Sequence, residues 1–74
     1  MTYYTVEFVG VGRNKKTWSV SLDQFPTESI LERHVRKSGA LMSSGIECLF
    51  DDDLEHGYIF AGMREVGAFR VKER

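Results

Sequence analysis

Apolar and polar positions alternate from the start of the chain. Tyr4, Val6 and Phe8 fall on one side, and Tyr3, Thr5, Glu7 and Val9 on the other. A period of two in β-branched and aromatic residues predicts a strand over Tyr3–Val9. Gly10, Gly12 and Asn14 then bring turn chemistry, with Arg13, Lys15 and Lys16 at the tip. Alternation resumes over Thr17–Leu22, with Trp18, Val20 and Leu22 inward and Thr17, Ser19 and Ser21 outward. The two strands are expected to form a hairpin.

Asp23–Pro26 breaks this pattern, and a helical period replaces it. Ile30, Leu31, His34 and Val35 share one face. Thr27 is the expected N-cap, and Glu28 complements the positive end of the helix dipole. Arg36 and Lys37 complement the negative end, and Gly39 suits a left-handed cap. Glu32 and Arg36 are spaced to pair on the exposed side. Ala40, Leu41 and Met42 are expected as an apolar turn against the core.

Ile46, Cys48 and Phe50 alternate with Glu47 and Leu49, which gives a third strand. Asp51–Gly57 is expected as a polar loop, Tyr58–Met63 as a fourth strand and Arg64–Glu65 as a tight turn. Val66–Lys72 closes the chain, with Gly67, Phe69 and Val71 inward and Arg70 and Lys72 outward. The order is ββαβββ. Short connections favour antiparallel neighbours, so the fold class is α+β, a single domain over residues 1–74 with one helix on one face of an antiparallel sheet.

Composition narrows the picture. The chain is 74 residues long, enough for one domain with a thin core. At 42% hydrophobic and 28% charged residues, it has the balance of a folded chain rather than a disordered one. The single cysteine, Cys48, excludes an internal disulfide and points to an intracellular, cytoplasmic chain. No apolar run approaches the roughly 20 residues of a membrane span. A net charge of −1 gives no global pull toward nucleic acid or anionic lipid.

Asp51, Asp52, Asp53 and Glu55 are the most conspicuous local group, with Glu47 before them and His56 after. Clustered carboxylates suit a divalent cation or a basic protein surface. The alternating ligands, central glycine and distal glutamate of a calcium loop are missing, so no metal is expected. The basic counterpart is Arg13, Lys15 and Lys16, with Arg33, Arg36 and Lys37 near the helix end. A phosphate-binding loop needs more glycines and a following helix, whereas a strand follows here. His34 reads as a histidine at the edge of the core, and Cys48 as a buried small hydrophobe. No nucleophile set, zinc spacing or cofactor motif is present, so neither catalysis nor a cofactor is expected.

These residues support a non-enzymatic protein-binding module. Its preferred contact is the acidic group Glu47, Asp51, Asp52, Asp53 and Glu55, against a partner with a basic surface. The second reading is a small nucleic-acid-binding or regulatory domain using Arg13, Lys15, Lys16, Arg33, Arg36 and Lys37. A third is a small subunit whose active site forms only on assembly, and a homodimer is compatible with the sequence. In size, layout and lack of catalytic residues, the chain resembles the small accessory proteins of phages and mobile elements, anti-CRISPR inhibitors among them. That resemblance rests on layout rather than on a motif. It implies stoichiometric blocking of a host complex.

Overall fold

The computed structural model describes residues 3–39 and 45–73. Its elements are β1 (Tyr4–Val11), β2 (Lys16–Leu22), α1 (Glu28–Ser38), β3 (Ile46–Phe50), β4 (His56–Ala61) and β5 (Arg64–Glu73). All five strands lie in one sheet in the order β2-β1-β5-β4-β3, and every neighbouring pair is antiparallel. The predicted ββαβββ order and α+β class are therefore those of the structure. The expected apolar turn at Ala40–Met42 lies outside the described residues.

Register carries the inward side chains into rows. Val20, Val6 and Val71 are neighbours across β2, β1 and β5, and Trp18, Phe8 and Phe69 form the next row. Leu31 and Val35 from α1 close over this face with Ile46, Cys48 and Ile59, and all five are buried. Thr27 caps the helix by accepting the Ile30 N–H on its hydroxyl, and Gly39 ends it at φ 74°. Trp18 stays half-buried, stacked on Phe8 at 4.8 Å between ring centroids.

Several boundaries differ from the sequence expectation. β1 continues past Val9 because a bulge between Phe8 and Val11, with Gly10 at φ 61°, turns Val11 into the core. β4 begins at His56, so the acidic loop is shorter than Asp51–Gly57. The turn before β5 falls at Gly62–Met63, where Gly62 has φ 68°, and Arg64 and Glu65 belong to the strand.

The helix also shields a sheet edge. The backbone N–H groups of Cys48 and Phe50 point away from β4 and donate to the carboxylates of Glu32 and Glu28, each at 3.4 Å. Glu32, expected on the exposed side, is half-buried and reaches the edge of β3. Burial, then the nearby Glu32 and Glu28 carboxylates, push the Cys48 thiol up to about 12. Its thiolate is scarce at neutral pH. Iodoacetamide at pH 8 is expected to leave Cys48 unlabelled in the native protein and to label it fully in urea. Rapid native labelling would contradict this burial.

Candidate functional site

Antiparallel order sorts the charged groups to opposite ends. The β1–β2 turn, the β4–β5 turn and the C-terminus of α1 share one end, where the Gly12 N–H donates to the Val66 carbonyl and Lys16 Nζ to the Ser38 carbonyl. The Asp51–Glu55 loop and the first turn of α1 share the other.

At the basic end, Arg13 and Lys15 border one hollow with Arg64 and Glu65. Lys16 and Lys37 border a second with Trp18, His34 and Ser38, and Lys16 Nζ lies 5.6 Å from the centre of the Trp18 ring. The fold thus brings together the basic hairpin tip and Lys37, which the sequence separates. Arg64 was missed, because only the β4–β5 turn delivers it there. Arg33 and Arg36 lie along the helix and line neither hollow.

At the acidic end, the carboxylates are less idle than the sequence suggests. Asp53 Oδ1 accepts the N–H groups of Glu55 and His56 at 2.9 and 3.1 Å, and its Oδ2 meets His56 Nδ1 at 2.6 Å. Asp51 Oδ1 accepts the Asp52 N–H at 2.8 Å. Asp51 and Asp53 therefore hold the loop through their carboxylates, and Asp52 and Glu55 are exposed. Glu47 stands apart, opposite Phe60 on β3, roughly 13 Å along the strand from Asp51. Leu54 is held at φ 58° with 57% of its surface exposed.

Asp53, Glu55 and His56 bring one ligand atom each within 4.8 Å of one another. Asp53 already uses both oxygens within the loop, so a cation there would compete with those hydrogen bonds.

The Glu55 N–H, then the His56 side chain and N–H, hold the Asp53 carboxyl at about 2. A depressed carboxyl stabilises the fold above the ordinary range near ~3.9, and that contribution disappears as pH falls through the folded value. Carboxyl-carbon NMR is expected to show a midpoint near 2 for Asp53, with the Glu55 and His56 amides moving in step. A midpoint near ~4 would mean that the loop hydrogen bonds do not persist in solution.

The sheet face away from α1, expected to be polar from the outward positions of its strands, carries an apolar row instead. Val9, Ala68, Tyr58 and Leu49 are successive cross-strand neighbours over β1, β5, β4 and β3. They form one apolar row, with Val9, Tyr58 and Leu49 exposed by 46%, 42% and 43%. The small Ala68 leaves a dip between Val9 and Tyr58, part of a hollow of ≈ 240 Å³ that also reaches Asp51, His56 and Arg70. Beside it, Lys72 pairs with Glu7 at 3.2 Å. The clue was present in the alternation, where Val9 and Leu49 are apolar residues at outward positions.

Compared with known proteins, the chain matches no family model, no curated protein and no solved structure. No helix among the described residues is long and apolar enough to cross a membrane.

Proposed function

We propose that this chain is a non-enzymatic protein-binding module acting by stoichiometric association with another protein. The observation that carries the reading is the apolar row on the uncovered sheet face, bordered at one end by the acidic loop. Sheet faces that meet only water normally alternate to polar residues. Here Val9, Tyr58 and Leu49 interrupt that rule in one continuous line.

Asp51 lines the same hollow as Tyr58 and Ala68, so acidic charge and apolar surface adjoin. The matching partner offers an apolar strip flanked by lysine or arginine. Apolar burial supplies affinity, and the charges steer the encounter. Leu54, also exposed, adds apolar surface on the acidic loop. Blocking a larger complex, as small phage accessory inhibitors do, is one use of such a surface.

Paired affinity capture from host lysate tests the reading. Wild-type protein is compared with Tyr58→Asp, whose exposed position leaves the core untouched. A protein retained at one-to-one stoichiometry by wild type and lost with Tyr58→Asp supports the proposal. Identical capture by both removes the sheet face from function.

The clustering of Arg13, Lys15 and Arg64, and of Lys16 and Lys37 beside Trp18, favours a second reading: contact with a nucleic-acid backbone. Its signature is binding to mixed-sequence DNA or RNA that weakens steeply with salt and disappears in Lys15→Glu/Arg64→Glu.

A further inference from the structure

Resting on the nucleic-acid reading above, we infer that the basic end of the sheet holds a single strand, with one base stacked on Trp18 and the flanking phosphates on the lysines around it. Two hollows adjoin there. Arg13, Lys15 and Arg64 border the first, of ≈ 370 Å³. Lys16, Trp18, His34 and Lys37 border the second, of ≈ 330 Å³. Lys15 and Lys16 are consecutive, so the chain passes directly from one hollow into the other.

These cations have no counter-charge of their own. Among the described residues, Glu65 is the only acidic one lining either hollow. None of Arg13, Lys15, Lys16, Lys37 and Arg64 has a carboxylate within ion-pair distance. Lys16 is tethered by neutral groups instead. Its Nζ donates to the Ser38 carbonyl at 2.9 Å and lies 5.6 Å from the centre of the Trp18 ring. A carbonyl and an aromatic ring orient an ammonium without neutralising it, which leaves its charge for a phosphate. Lys15 is held at φ 53°, in the left-handed region that glycine and asparagine usually occupy. A lysine strained in this way, with no internal partner, carries a charge that does nothing for the fold.

Trp18 supplies a flat apolar surface among the cations. Phe8 stacks on the indole with 20° between the ring planes, which fixes it from one side. Lys16 lies over the ring, and the half-buried indole borders the second hollow. A base that stacks there displaces the ammonium from the ring and brings a phosphate within its reach. Aromatic platforms inside a positive groove hold single strands in this way, whereas a duplex keeps its base faces inside its own stack. Acidic side chains of a peptide would match the cations but offer the ring nothing flat.

Trp18 is the chain's single tryptophan, so its emission reports on the site directly. Titration at low salt with short oligothymidylate and oligouridylate is expected to quench it, and the relative affinities of the two strands separate DNA from RNA. A duplex of the same length is expected to bind about 10-fold more weakly and to leave the emission unchanged. Trp18→Leu, followed by the anisotropy of a labelled strand, is expected to weaken binding by about 10-fold. Lys15→Gly keeps the fold, since glycine adopts that backbone freely, and is expected to bind more weakly with a shallower salt dependence. Where Trp18→Leu does not fold, Lys37→Glu at the exposed helix end decides, and unchanged affinity in it overturns the inference. Strand and duplex bound equally, with the emission unmoved, overturn the stacked base but leave backbone contact standing. Binding of neither overturns both. Polyglutamate bound as tightly as the strand points to an acidic protein and overturns the inference as well.

Discussion

Gly57→Ala is expected to destabilise the domain by about 3 kcal/mol or more, at or beyond the upper end of ordinary overpacking. Gly57 lies on β4 between Phe50 of β3 and Phe69 of β5 in one cross-strand row. With no side chain between them, the two rings meet edge-on above the glycine, 5.2 Å apart. A Cβ at this position would overlap the edge of the Phe69 ring and the Leu49 carbonyl oxygen. The ring could swing away only by abandoning its buried site, and the carbonyl belongs to the β3–β4 ladder. The loss extends further, because Phe25 stacks on Phe50 at 5.7 Å and Tyr4 meets Phe25 edge-on at 5.4 Å. Urea denaturation followed by circular dichroism measures it. A midpoint within experimental error of wild type would mean that Phe69 does not lie over Gly57.

Phe8→Ala is expected to cost about 3–5 kcal/mol. Phe8 has no exposed surface and sits in the central row of the core, between Trp18 and Phe69. A domain of 74 residues has about 4–11 kcal/mol in total at the usual ~0.05–0.15 kcal/mol per residue. The substitution therefore removes a large share of the stability and should lower the melting temperature steeply. Trp18→Ala should cost less, because the indole is only half-buried at the edge strand. Thermal melts of both variants should rank Phe8→Ala as the more damaging. The reverse ranking would place the centre of the core nearer β2 than the structure does.

The sheet was legible where one face is apolar and the other polar. Alternation in Tyr4–Phe8, Thr17–Leu22 and Ile46–Phe50 gave the strands and their facing, and Thr27 and Gly39 bounded the helix as their chemistry predicts. Reading failed where tertiary partners override local pattern. Gly57 looks like loop chemistry beside Asp51–Glu55, yet it is a strand residue because Phe50 and Phe69 need the space that a side chain would fill. Gly10 permits the bulge that returns Val11 to the core, and a strict period of two cannot anticipate it.

The candidate site was legible only as separate runs of charge. Asp51 and Asp53 resemble idle carboxylates in sequence, but they hold the loop, so charge reversal belongs at Asp52 and Glu55. The basic residues meet at one end because antiparallel strands return Arg64 to the Arg13–Lys15 turn. The apolar row is invisible one strand at a time. It takes register to align Val9, Ala68, Tyr58 and Leu49.

The most direct test of the protein-binding reading is amide NMR mapping of the isotope-labelled chain titrated with its captured partner. Shifts are expected at Val9, Leu49, Tyr58 and Ala68 and through Asp51–Glu55, saturating at one partner per chain, with Arg13–Lys16 and His34–Ser38 unmoved. Shifts confined to Arg13–Lys16, Lys37 and Arg64, with the open face silent, would contradict it.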